Sequence, residues 1–455
     1  MKALIPATHC FDIIGVGFGP ANIALAIALE EMGSQLSVRF LERRSSTTWQ
    51  EEMRLPESDI QNHPLRDLVT PRNPRSRYSF TNFLFENNRL FEHLNLPLHF
   101  PLRVEYEQYV AWVAGFFDHQ VEYGCEVVAI DPVTTAEEAA VEGYRITDRE
   151  GKVWYARSVV VAPGRTANVP DIFKAVDHPG VVHLTEYLTG LNRVLASPKK
   201  PRVAVIGGSQ SAVEIMLHAY GTDLTADVVG ITRNFGYRQK DTSPFSEEVY
   251  FPAFVDTFYG ASQAVKDKLR RELVFTNYSS VDKDVLDSLY VKLYSNRILG
   301  KSGLSVITNT EIEHVASDDQ GVHLSLHNTA TNVNVLQSFD LVVLATGFLD
   351  LGSGSKREPY PKLLNSIASL MELHDGALQV EYNYRIRLTQ RHRVGAPIFL
   401  NGLCESSHGM GDAGSFSLLA QRSAAIVEAI EDDHIRHTAK TETIDAVAEL
   451  ADQAV

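Results

Sequence analysis

The segment Phe11-Asp-Ile-Ile-Gly15-Val-Gly17-Phe-Gly19-Pro20-Ala-Asn22 constrains this chain more than any other. Apolar residues 11–14 read as a buried strand, the glycines as a tight turn, and residues 23–31 as a helix. A dinucleotide pyrophosphate needs that order of elements. Gly15 allows the turn, Gly17 lets the backbone approach the phosphates, and the helix N-terminus offers unpaired N–H groups to the anion. Pro20, just after Gly19, suits the first helical turn because it has no N–H to lose. A lone turn of this kind is common for structural reasons alone, so its surroundings matter. After the helix, Leu36-Ser-Val-Arg-Phe-Leu41 reads as a second strand that ends at Glu42. A carboxylate there accepts hydrogen bonds from an adenosine ribose; otherwise Glu42 is a charged strand-end residue.

The unit recurs as Arg202-Val-Ala-Val-Ile-Gly207-Gly208-Ser209-Gln210-Ser211-Ala212. Ser209 stands where glycine is customary, and Ala212 keeps the close approach of helix to sheet. The next strand, Asp227 to Thr232, ends at Arg233 rather than at an acid. A cation there favours a 2′-phosphate; the alternative is a solvated surface arginine. A first site with an acid and a second with a base imply FAD and NADPH. Two further apolar strands end in small residues, Ser158-Val-Val-Val-Ala162-Pro163-Gly164 and Leu341-Val-Val-Leu-Ala345-Thr346-Gly347-Phe348. They resemble the crossing segments of two-dinucleotide-binding flavoproteins, which bring backbone near a cofactor as the chain passes between domains.

Composition is consistent with this reading. At 455 residues the chain supports two or three domains. A net charge of −15 argues against nucleic acid or an anionic membrane as partner. No apolar run reaches membrane-spanning length, and the start lacks a signal peptide's pattern, so a cytoplasmic location is expected. Cys10, Cys125 and Cys404 are far apart and form no C-x-x-C pair, which excludes the disulfide-reductase branch of such flavoproteins. The sixteen histidines show no metal-binding spacing, and no metal is expected. The polar, Ala-rich stretch after about residue 432 is expected to be poorly ordered.

The chain resembles the N-hydroxylating flavoprotein monooxygenases, the L-ornithine N5- and L-lysine N6-monooxygenases of siderophore biosynthesis. The resemblance runs from about residue 10 to 430. It rests on Gly15 to Asn22, Arg66-Asp-Leu-Val-Thr-Pro-Arg-Asn-Pro-Arg-Ser-Arg-Tyr-Ser-Phe80, Phe100-Pro-Leu-Arg103 with Tyr109 and Trp112, Gly207 to Ala212, Ser243-Pro-Phe245, Thr276-Asn-Tyr-Ser279, Ala345 to Phe348, and Ser407-His408-Gly409. It implies that NADPH reduces FAD, that O2 forms a C4a-hydroperoxyflavin, and that the distal oxygen passes to an unprotonated primary amine. Desolvation or nearby positive charge must keep that amine neutral. Carried over by motif, Asn277 matches the asparagine near NADP+ and the reacting end of the substrate, and Gln61 the glutamine near the flavin ring. Ser417 matches a serine at the substrate end across a one-residue gap, and His408 lies by the cofactor. Related enzymes are commonly tetramers, so a homo-oligomer is expected.

Two departures bear on the substrate. The family's carboxylate-gripping lysine is here Arg66, and the asparagine of its Pro-Phe-x-Asn stretch is Glu247. Arginine is bulkier than lysine and presents a planar fork. Glu247 would repel a substrate carboxylate and attract a second ammonium, which tilts the expectation slightly toward an alkyl diamine such as putrescine or cadaverine. That holds only if Arg66 is neutralised by Asp67, Glu247 or another acid. An Arg66 facing the pocket alone favours an amino acid, and a third arrangement pairs Arg66 with Glu247. A different kind of function also stays open: an NADPH oxidase or redox-sensing flavoprotein that does not oxygenate, against which the retained Asn277 argues. The expected architecture is α/β with two Rossmann-like domains. The FAD domain comes from 1–195 and 336–455, the NADPH domain from 196–335, and a small helical substrate element from about 236–300.

Overall fold

The computed structural model describes residues 10–134, 141–221, 226–389, 396–412 and 414–452, with side chains up to residue 436. In the first unit, strand Cys10–Val16 lies between Val38–Glu42 and Val153–Val161, parallel to both. Parallel strands are covered on both faces, which explains the nearly unbroken apolar runs. The helix Pro20–Glu31 starts at an extended Gly19 with proline in its first turn and is buried from Asn22 to Leu29. It is covered all round because the long helix Leu419–Asp452 packs against it. The polar tail expected to be poorly ordered thus continues that helix.

Val153–Val161 divides its partners along its length. Residues 153–156 pair with the antiparallel strand Val141–Asp148, and residues 159–161 pair in parallel with Ile398–Leu400. The first sheet is therefore closed by a strand from the far end of the chain. Aromatic side chains from the helices Phe80–Glu86 and Arg103–Gly115 pack beside it, with Phe80 5.3 Å from both Tyr106 and Tyr109 between ring centroids. Buried Asp67 anchors the loop before Phe80, accepting from the N–H groups of Val69, Thr70 and Phe80.

The second sheet is wholly parallel, in the order Leu304–Ile307, Asp227–Ile231, Arg202–Ile206, Leu341–Leu344, Val181–His183. Val181–His183 and Leu341–Leu344, which lie outside residues 196–335, complete this sheet. An antiparallel meander, Thr310–Asp318, Gly321–Asn328 and Val333–Phe339, covers one face and packs Leu324 and Phe339 against Ala204 and Val342. The region 236–300 holds helices Pro252–Gly260, Gln263–Leu273 and Lys283–Ile298 with short 3-10 turns.

The two chain crossings run side by side. Asn168 donates its N–H to the Gly347 carbonyl (3.0 Å) and its side-chain amide to Thr346 O (3.0 Å). A second tie is internal to the first unit. Asn22 donates to Gly17 O (2.7 Å), Asn401 to Asn22 (3.0 Å), and Arg422 to Asn401 (2.9 Å) and to Asp412 (2.6 Å). All four side chains are buried. Removing one partner of a buried ion pair strands the other charge, at a cost of about 3–5 kcal/mol. Arg422→Met is expected to lose stability on that scale and to release FAD, read by denaturant unfolding and flavin absorbance. A loss below about 1 kcal/mol would mean that water reaches Asp412.

Candidate active site

Ligands of open parallel sheets bind outside the carboxyl ends of the strands. At the first sheet, Gly17 has φ of +87°, and a Cβ there would come within 2.4 Å of Ala162 O. Only glycine fits. Around Gly19 there is open space, over the start of the helix Pro20–Glu31. That cradle suits the FAD pyrophosphate. Glu42 accepts from the N–H groups of Phe18 (2.7 Å) and Arg44 (3.0 Å), so it holds the glycine loop and keeps lone pairs over for a ribose. At the second sheet, a Cβ on Gly207 would lie 2.4 Å from Ala345 O, and the helix Gln210–Gly221 opens directly after the turn. This repeats the first cradle and suits the NADP pyrophosphate. Arg233 is exposed beyond strand Asp227–Ile231. Burial and the Arg233 charge together lower the Lys356 ammonium, so a second cation, unforeseen from the sequence, lies near Arg233.

Arg66, Glu247, Asn277 and Ser417 are drawn together by two residues that the sequence did not single out, Asn62 and Tyr250. Asn62 donates to Arg66 O (2.6 Å) and accepts from the Ser417 hydroxyl (3.4 Å). The Arg66 guanidinium lies 5.7 Å from the Tyr250 ring centroid, and the Tyr250 hydroxyl donates to the carbonyl of Thr276, next to Asn277 (3.1 Å). Glu247 is on the same 3-10 turn as Tyr250, Ser246–Tyr250. Burial first, and then the Glu247 charge, push the Tyr250 hydroxyl up, while Arg66 opposes them. Among the described residues, Arg66 and Glu247 form no ion pair with each other or with any other side chain. Asp67 does not neutralise Arg66 either, since its oxygens serve Val69, Thr70 and Phe80. Ala413, in the gapped stretch before Ser417, lies outside the described residues.

Two expected cofactor residues have other duties. The His408 ring is fully buried, stacked 4.2 Å from Tyr384, with Nδ1 at Ser407 Oγ and Nε2 at Tyr382 O. With both nitrogens engaged it packs the core, and only its backbone remains for a cofactor. Gln210 spends its side chain on Glu214 and on the N–H of Asp282. Gln61, held at φ of +52°, donates its side-chain amide to Asp282. Behind Asn277 lies a cluster that composition gave no means to locate. Tyr278 donates to buried Glu405, and Arg165 pairs with Asp350 (2.7 Å) beside the Tyr278 ring. Burial, then Asp350, push the Glu405 carboxyl up, and Arg165 opposes them. Among the described residues no group of His, Cys, Asp or Glu could hold a metal ion, and no helix is long and apolar enough to cross a membrane.

The L-lysine 6-monooxygenase/L-ornithine 5-monooxygenase family matches residues 9–350. An L-ornithine N(5)-monooxygenase of Pseudomonas aeruginosa is 34% identical over 410 residues, 88% of this chain and 89% of the relative. The structure of an ornithine hydroxylase from the same organism superposes with a TM-score of 0.85 at 32% identity, covering 93% of this chain and 99% of the other. The ornithine N-hydroxylase of Kutzneria sp. 744, solved with reduced FAD, NADP+ and L-ornithine, gives the same TM-score, identity and coverage.

Two outcomes are expected of these sites. Arg233→Ala should cost about 1–3 kcal/mol of preference for NADPH over NADH, the value of a charge-assisted phosphate contact, read from kcat/KM for each nucleotide. An unchanged ratio removes Arg233 from the site. The second concerns Asp59, which burial, helped by Asp282, Glu214 and Asp284, raises to about 6 from the ordinary 3.8. A carboxyl raised on folding binds its proton more tightly in the folded state, so it penalises folding above pH 6 and relaxes that penalty as pH falls toward 4. Asp59→Asn should therefore stabilise the protein at pH 8 by on the order of 1–3 kcal/mol, with the gain fading between pH 6 and 4. Thermal unfolding of both proteins across that range checks it; a gain independent of pH refutes it.

Proposed function

We infer that this chain, which belongs to the L-lysine 6-monooxygenase/L-ornithine 5-monooxygenase family, hydroxylates the side-chain amine of an α-amino acid of the ornithine type. It is a flavin-dependent N-hydroxylating monooxygenase that uses FAD and NADP(H). The observation that carries the substrate reading is the pair of uncompensated charges beside Tyr250: Arg66 and Glu247, close to one ring and joined to no counter-ion. An amino-acid head group is a zwitterion. Arg66 binds its carboxylate through the guanidinium fork, and Glu247 binds its α-ammonium. A diamine would satisfy Glu247 but leave Arg66 facing a cation, and Asp67 is not available to cancel it. The slight expectation of a diamine therefore gives way to an amino acid. The relatives described above as ornithine enzymes support the same choice.

When bound, FAD supplies the oxygen-activating chemistry and NADPH the hydride. The protein has to deliver a neutral amine in a fixed orientation and keep water away. A zwitterion held by its head sends its side-chain amine to a set distance, which is how a remote contact is converted into orientation at the reacting end. We assign Asn277 to that end and Ser417, tied to Arg66 through Asn62, to the pocket wall. Three free thiols support a cytoplasmic location. Exposed Tyr290, Val291, Tyr294 and Ile298 along the helix Lys283–Ile298 support self-association.

The test is hydroxylamine formed per NADPH consumed with ornithine, lysine, putrescine and cadaverine. Ornithine is expected to give the highest kcat/KM. Arg66→Ala should raise its KM by roughly tenfold or more, in line with about 1.5–3 kcal/mol for a hydrogen bond to a charged group, while leaving putrescine turnover unchanged or improved. Glu247→Gln should weaken ornithine less, because an amide still accepts from the α-ammonium. Putrescine turned over as efficiently as ornithine by the wild-type enzyme would overturn the amino-acid reading.

A further inference from the structure

Six residues form a closed ring of hydrogen bonds between the two units, through side chains and three backbone groups. From the first unit, the N–H of Gln61 donates to Asp59 Oδ1 (2.9 Å), and Arg103 Nη2 donates to the Asp59 carbonyl (3.0 Å). Arg103 also pairs with Glu214 of the second unit (3.1 Å). Glu214 accepts from Gln210 Nε2 (3.0 Å), and Gln210 Oε1 accepts from the N–H of Asp282 (2.8 Å). The Asp282 carboxylate accepts from the Gln61 side chain and so closes the ring. Arg103, Gln210, Glu214 and Asp282 are all buried.

Asp282 shows that the arrangement is selected over a simpler one. It is the residue before the helix Lys283–Ile298, where aspartate ordinarily caps the first N–H groups, yet its side chain makes no cap bond. The carboxylate is turned to Gln61 instead, with Lys240 3.7 Å from its other oxygen. Gln210 is the first residue of the helix that opens behind the NADP cradle, and residues 59–61 lie in the chain that follows the carboxyl end of strand Val38–Glu42 on the FAD side. The ring thus joins the start of the helix behind the NADP cradle to the first unit.

We propose that Asp59, Gln210 and Asp282 are positioning residues that register the NADP cradle against the flavin side of the molecule and hold Gln61 in its left-handed turn. A ring of buried polar groups resists partial opening, because each broken bond leaves a donor or acceptor unsatisfied. A nucleotide that orders the start of the helix Gln210–Gly221 therefore also orders the Asp59–Gln61 turn, across a domain boundary and without touching it. This coupling concerns reduction of the flavin and is independent of which amine is hydroxylated.

The test uses the FAD-loaded protein without amine. Amide hydrogen exchange is followed in the peptide containing residues 59–61, with and without saturating NADP+, alongside anaerobic flavin reduction by NADPH. In the wild type NADP+ is expected to slow exchange at that turn. In Gln210→Met and Asp282→Ala that protection should disappear and reduction should slow by about tenfold or more, with NADP+ affinity within about threefold. Asp282→Asn keeps an oxygen for Gln61 and should restore both. Protection that persists in the Gln210 and Asp282→Ala variants, or Asp282→Asn as damaged as Asp282→Ala, overturns the proposal. Should Asp282→Ala lose its FAD, Gln210→Met decides alone, since it leaves the Asp282 carboxylate in place.

Discussion

The structure depends on one contact made twice. In each nucleotide-binding unit the turn glycine lies against the carbonyl of an alanine that ends a neighbouring strand, Gly17 on Ala162 and Gly207 on Ala345, with 2.4 Å left for a hypothetical Cβ in both. A side chain at either glycine would drive the turn off the strand end. Both alanines also begin the crossings between units. The contact that shapes each cradle therefore also sets where the chain departs for the other unit. The crossings then hydrogen-bond to each other through Asn168, Thr346 and Gly347, so the two cradles are referred to a common piece of backbone.

The crossings tie the units through backbone, and the buried pair Arg103–Glu214 and its ring tie them through side chains. Apolar packing would hold the units together with less desolvation cost, since replacing buried ion pairs by well-packed apolar groups is often neutral or stabilising. What a polar ring supplies is a defined register, because its members are satisfied in one arrangement only. The same logic applies inside the FAD unit. There the Asn22–Asn401–Arg422–Asp412 chain joins the glycine loop to residues nearly four hundred positions away, where a slippable apolar contact would not specify the loop.

Local chemistry was legible in the sequence wherever a backbone requirement left a residue signature. The strand–glycine–helix units, the acid after the first and the arginine after the second, and the small residues at the crossings all stand where the pattern put them. That Val181–His183 and Leu341–Leu344 join the second sheet was not legible, because both read as apolar strands whichever sheet they join. The meander of residues 310–339 carried no motif. Asn62, Tyr250 and the ring's Asp59, Glu214 and Asp282 escaped for a related reason: an asparagine, a tyrosine or a buried acid signals nothing until long-range folding supplies its partner. His408 is a different case: its motif places it beside a glycine, but does not tell that packing with Tyr382 and Tyr384 holds the ring and leaves the backbone for a cofactor.

The charges at Arg66 and Glu247 are informative because they do not neutralise each other. Both influence Tyr250, yet no ion pair joins them. An exposed ion pair gains only about 0–1 kcal/mol, so water and side-chain entropy suffice to keep two such groups apart. A ligand that brings a carboxylate to one and an ammonium to the other is desolvated along with them, and each contact then strengthens in a medium of lower dielectric. The exchange of lysine for arginine and of asparagine for glutamate thereby becomes a single change. On the proposed assignment, the fork of Arg66 would take over the carboxylate more completely, and Glu247 would be released to hold the α-ammonium that an asparagine would bind only as a dipole. A pocket built in the way we propose would read the head group by charge at both ends and leave the length of the side chain to be judged at Asn277.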